Sequence, residues 1–81
     1  KGFEKMKDVL EVLIKNLVDN PDEVSITEKT EAKSICYEVK VAKNDMGKVI
    51  GRQGKMAKAI RSIIKAVATK EHKKVNVEFL D

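Results

Sequence analysis

Apolar residues recur at helical spacing near the start of the chain. Phe3, Met6, Leu10, Leu13 and Leu17 fall along one line, with Val9, Ile14 and Val18 beside them. Glu4, Lys5, Asp8, Glu11 and Lys15 take the other side. The pattern predicts an amphipathic helix over residues 3–19. Asn20-Pro21 ends it, because proline cannot continue a helix and restricts the residue before it. The period then changes. Val24 and Ile26 alternate with Ser25 and Thr27, a short strand, and the polar stretch Thr30 to Ser34 reads as a turn. Ile35, Tyr37, Val39 and Val41 alternate with Cys36, Glu38 and Lys40, a clearer strand with one buried face. Asn44 or Asp45 can cap a short helix over residues 45–50. Met56, Ala59, Ile60, Ile63, Ile64 and Val67 mark a long helix to about Thr69, and Val75, Val77 and Phe79 a last strand. The order α-β-β-α-α-β places the chain in the α+β class, without linker, repeat or low-complexity tract.

Eighty-one residues are expected to make one small domain, residues 1–81, with a modest core. No run approaches the roughly 18 apolar residues of a membrane span, and no secretory signal pattern is visible. The chain opens on Lys1 rather than Met, which reads as processing or as an engineered boundary. A lone Cys36 has no internal disulfide partner and points to a reducing, cytoplasmic setting. Charge is divided unevenly. Residues 1–40 hold 7 basic and 9 acidic side chains, whereas residues 41–81 hold 10 basic and 4 acidic. No acid stands between Met46 and Lys70, a window containing Lys48, Arg52, Lys55, Lys58, Arg61 and Lys65. Such an asymmetry suits a polyanion on one face, although a solvated helix face also collects lysine.

The glycines sharpen that choice. In Val49-Ile50-Gly51-Arg52-Gln53-Gly54-Lys55, two glycines bracket a basic and an amide residue between two helical segments. Glycine takes positive φ and lets a ligand backbone come close. The second glycine opens a helix, whose first N–H groups point outward and suit a phosphate. Arg52 and Gln53 project from the tip, Lys48, Lys55 and Lys58 flank it, and Val49 and Ile50 can line an apolar trough for bases. These residues read as a clamp on a nucleic-acid backbone.

The string Val49-Ile50-Gly51-Arg52-Gln53-Gly54 resembles the V-I-G-x-x-G loop of KH domains, and the element order resembles their type II topology. The short length is similar to that of the bacterial single-KH proteins of the KhpA type. The resemblance implies a three-stranded sheet with helices packed on one face. It also implies single-stranded RNA as ligand, with the backbone of about four nucleotides held by the loop. Gly51, Arg52, Gln53 and Gly54 would meet phosphates, while Val49 and Ile50 support the base groove. Lys48, Lys55, Lys58 and Arg61 are added on electrostatic grounds. Ala57 departs from the larger aliphatic common there and would widen or flatten the groove. The implied role is that of an RNA chaperone or post-transcriptional regulator. Pairing is expected with a second copy or with another KH-containing protein, through a stripe of Ile63, Ile64 and Val67.

Other chemistry is poorly supported. A Walker loop needs Ser or Thr where Met56 stands, and a dinucleotide fingerprint needs glycine where Val49 stands. Phe3, Tyr37 and Phe79 are spaced as core residues and not as a base-stacking platform. His72 lies between Glu71 and Lys73 with no Cys or second His nearby, so neither a metal site nor a cofactor is expected. No nucleophile–base–acid grouping appears, and the chain reads as a non-enzyme. A helix-turn-helix DNA reader is the first rival, disfavoured by the flanking strands and by a second helix that buries Met56, Ile60 and Ile64. The second rival is a protein-interaction domain acting mainly by homo- or heterodimerisation, for which acidic loop residues would be the sign.

Overall fold

A computed structural model describes residues 2–80, with side chains from Met6 to Leu80. The side chains of Phe3, Glu4 and Lys5 therefore lie outside the described residues. The elements are α1 (Gly2–Leu17), β1 (Ser25–Thr30), β2 (Ser34–Lys40), α2 (Met46–Ile50), α3 (Lys55–Lys70) and β3 (Lys74–Leu80). Short 3-10 turns cover Pro21–Glu23, Lys43–Asp45 and Arg52–Gly54. The expected order is the observed one, and the fold is α+β.

The sheet runs β1-β2-β3. β1 pairs antiparallel with β2, and Ser25 faces Lys40 in that register. β2 pairs parallel with β3, with Ser34 opposite Lys74 and Lys40 opposite Leu80. A parallel pair cannot be joined by a tight turn, so the chain crosses over through α2 and α3. Alternation sends Ile35, Tyr37 and Val39 of β2 into the core, where Val77 of β3 joins them. Cys36 and Glu38 take the opposite, partly open face.

The helices close the core from one side. Met6, Leu10 and Ile14 of α1 and Ile60 and Ile64 of α3 are essentially without exposed surface. Each such burial contributes about 1.5–3 kcal/mol, before the entropy of ordering the chain is set against it. Ile64 is thus a core residue, and the stripe expected along α3 does not reach the surface as a unit. Ile63 alone is turned outward, 44% exposed, while Val67 packs half-buried against the core.

α1 ends two residues earlier than its apolar pattern suggests, and Asp45 supplies the reason. Its carboxylate accepts hydrogen bonds from the backbone N–H of Asp19 at 3.2 Å, from the N–H of Asn20 at 3.0 Å and from the Asn20 side-chain amide at 3.1 Å. Asp45 does stand at the N-cap position of α2, but its side chain makes no cap bond there. The expected cap is corrected accordingly: the buried carboxylate satisfies donors at the end of α1 and ties that end to the start of α2.

Candidate nucleic-acid interface

The loop between α2 and α3 is shaped by three positive-φ residues. Gly51 has φ 75° and ψ 176°, Gln53 φ 57°, and Gly54 φ 75° with ψ 11°. A Cβ built on Gly51 would lie 2.7 Å from the Met56 Cβ and 2.8 Å from its backbone nitrogen. Only glycine fits there. At Gly54 the same atom would meet open space, so that glycine is required by its φ alone. The turn is closed by the Gly51 N–H donating to the Gly47 carbonyl at 2.9 Å and the Gly54 N–H donating to the Gly51 carbonyl at 3.2 Å. The Lys55 N–H donates to the carbonyl of Arg52. Several backbone donors are thus used within the turn. The side chains of Arg52 and Gln53 are exposed at the tip.

Of the other site residues, Lys55 and Lys58 are exposed on the first turns of α3. Neither forms an ion pair among the described residues, which leaves both charges open beside the tip. Lys48 is different: its ammonium is paired with the Asp19 carboxylate at the end of α1. Arg61 also turns away from the loop. Its Nε donates to the Val77 carbonyl of β3 at 3.0 Å, and its guanidinium lies 5.5 Å from the centre of the Phe79 ring, a cation–π contact. Val49 has no exposed surface and holds the loop from below, while Ile50 is half-buried and offers some apolar surface. Ala57 is only 3% exposed. It is a buried position of α3 and presents almost no surface of its own to a ligand. The structure gathers Arg52, Gln53, Lys55 and Lys58, and separates Lys48 and Arg61 from them.

Asp45 is the positioning residue that the sequence pattern did not reveal. Burial pushes its carboxyl pKa up, but the hydrogen bonds from Asp19 and Asn20 and the charge of Lys48 outweigh burial and hold it below the ordinary value. A depressed folded-state pKa contributes stability above the unfolded pKa, lost as pH falls through the folded one. Thermal stability should therefore decline as pH drops below about 4, the usual range for Asp. Asp45→Asn should flatten that decline and lower melting at neutral pH. Melts of both proteins between pH 2.5 and 7 test this, and parallel curves would remove Asp45 from the acid response.

Cys36 carries no reactivity signal: it is half-buried, and burial, helped by Glu78 and Glu38, pushes its thiol up. Among the described residues no three potential metal ligands cluster, and no helix is long and apolar enough to cross a membrane.

Against known proteins, the family described as KhpA/KhpB, KH domain, matches residues 7–79. The chain belongs to the KhpA/KhpB KH-domain family. Among KhpA relatives, the RNA-binding protein KhpA of Clostridium acetobutylicum is 59% identical over 75 residues, covering 93% of this chain and 100% of that protein. KhpA of Clostridium perfringens is 52% identical with the same coverage. KhpA of Listeria monocytogenes is 42% identical over 76 residues, 94% of this chain and all of that one. No solved structure gives a significant match. The loop Gly51-Arg52-Gln53-Gly54, between α2 and α3, lies within the matched residues.

Proposed function

We propose that this chain is a single KH module that binds single-stranded RNA by its phosphate backbone through Gly51-Arg52-Gln53-Gly54. The carrying observation is the tip itself. Two exposed donor side chains stand between positive-φ glycines, beside Lys55 and Lys58, which form no ion pair among the described residues. The name of the relatives, RNA-binding protein, supports the ligand class. The reduced, unpaired Cys36 suits a cytoplasmic RNA chaperone or post-transcriptional regulator.

The expected behaviour follows from the few contacts available. Affinity should be weak, and higher for single strands than for duplex, whose bases are hidden. Each neutralised phosphate should give a log–log salt slope of about −0.7, so three or four contacts should give roughly −2 to −3. Titration of a labelled oligonucleotide and its duplex from 50 to 200 mM salt checks both. Equal affinity for the two forms, or a flat salt response, contradicts the proposal.

A second reading, pairing with another copy or with a KH-containing partner, is favoured by exposed apolar surface. Val12 of α1 is 60% exposed and Ile63 of α3 is 44% exposed. Because Ile63 lies outside the core, Ile63→Asp should leave melting nearly unchanged while converting a homodimer to monomer. Sedimentation at tens of micromolar decides it. Monomer mass at every concentration for the unmodified chain leaves only the heteromeric pairing.

A further inference from the structure

Lys48 carries a charge that a strand seated on the glycine loop could use, yet that charge is already engaged. It stands three residues before Gly51, on the same side of α2. One helical turn of about 5.4 Å separates the two, against about 3.4 Å for one nucleotide step in a stacked strand. Lys48 is thus one or two nucleotides from the tip. Its ammonium instead meets the Asp19 carboxylate. We propose that Asp19 is a built-in competitor of RNA for Lys48, and that it holds affinity below what the cations around the loop could give.

A buried fixture puts Asp19 in place. Its backbone N–H donates to Asp45 Oδ1 at 3.2 Å, and the Asn20 N–H and side-chain amide donate to Oδ2 at 3.0 and 3.1 Å. Asp45 is buried at the N-cap position of α2, three residues before Lys48. The end of α1 is thereby held against the helix that carries Lys48. The Asp19 side chain takes no part in those bonds. It is 74% exposed and stands two residues past Leu17, at a helix end whose carbonyls favour cations over acids. An acid there works slightly against the fold and finds its compensation in Lys48. The reverse does not hold, because Lys48 lies in the last turn of α2 and suits that helix end by itself.

Charge and exposure set the response to RNA. Lys48 faces two carboxylates, those of Asp19 and Asp45, so the three groups together carry a net charge of −1. A phosphate approaching Lys48 meets that charge and must displace Asp19. Replacing Asp19 by neutral Asn brings the group to zero and frees the ammonium. Lys48 is 44% exposed, so both partners lie in water and the pair is easily opened. An exposed ion pair shifts an equilibrium by no more than about fivefold, which bounds the effect of removing the competitor.

This competition deepens the single-strand reading and rests on it for the phosphate beside the loop. The test titrates an octauridylate from about 50 to 200 mM salt against the intact chain and its variants. Asp19→Asn should bind about three- to fivefold tighter at the low end, with a log–log salt slope steeper by about 0.7 and unchanged melting. Asp19→Glu keeps the charge and should bind like the intact chain. Adding Lys48→Gln should erase the gain, so that Lys48→Gln and Asp19→Asn/Lys48→Gln agree within about twofold. Equal affinity of the intact chain and Asp19→Asn, or an undiminished gain in the Lys48→Gln background, overturns the competition and leaves the loop reading standing. If Asp19→Asn keeps its full affinity when Arg52→Asp/Gln53→Asp is added, the competition stands and the loop reading falls. Absence of binding by both the intact chain and Asp19→Asn overturns both.

Discussion

Replacing Arg52 and Gln53 together by Asp is expected to weaken RNA binding at least tenfold and to leave melting almost unchanged. Both side chains are exposed, and neither has a side-chain partner among the described residues. Their loss therefore removes no packing and leaves no buried partner unsatisfied, so the folded state is little affected. At the interface the sign is opposite. Two carboxylates would stand where phosphates approach, and each like-charge pair at about 4 Å costs about 1 kcal/mol even in bulk water. A tenfold loss requires only about 1.4 kcal/mol, so two such repulsions suffice before the lost Arg52 contact is added. Part of the loss should be recovered at high salt, which screens the repulsion. Paired RNA titrations and circular dichroism melts measure both quantities. A folded double variant that binds normally would place the ligand elsewhere on the molecule.

Gly51→Ala should be far more damaging than Gly54→Ala, although both glycines share φ 75°. At Gly51 the methyl would press on the Met56 backbone nitrogen at 2.8 Å, and backbone cannot swing aside as a flexible side-chain tip does. The φ/ψ pair there is also one reserved for glycine, costing another residue about 1–3 kcal/mol. With each kcal/mol moving the midpoint by about 4–8 °C in a domain of this size, Gly51→Ala should melt roughly 10 °C lower or more. RNA affinity should fall with it, because relief of the clash must displace the start of α3 and the lysines it carries. Gly54→Ala meets no atom and carries only the left-handed penalty of about 1–2 kcal/mol. Melting of the two variants side by side tests the ranking. Equal shifts would mean that Met56 does not confine the turn.

The element order and the core of this fold were legible from periodicity because the core is built from local repeats. Leu10 and Ile14 are one helical turn apart, and Ile35, Tyr37 and Val39 alternate along one strand. The glycine-bounded turn was equally legible, since positive φ leaves a compositional trace. What was hidden depends on partners distant in sequence. Asp45 looked like an ordinary helix cap because nothing local shows that the amides of Asp19 and Asn20 converge on it. Lys48 and Arg61 looked like free cations because their partners, Asp19 and the Val77 carbonyl, belong to other elements. The α3 stripe could not be divided between Ile63 and Ile64 without knowing where the sheet lies. Even Val49, adjacent to the loop in sequence, belongs to the interior in space.

The parallel pairing of β2 with β3 bears on how the protein acquires the loop between α2 and α3. Partners across that ladder lie about 40 residues apart, and the entire loop region sits inside the crossover they close. Closing such a loop is an entropic cost met before its contacts form, so the step is slow relative to helix formation. α2, with only Met46–Ile50, is too short to persist alone in water. The loop accordingly depends for its order on packing between segments distant in sequence. A chain arrested before Lys74–Leu80 would carry the whole glycine motif without the β2–β3 ladder that closes the crossover around it.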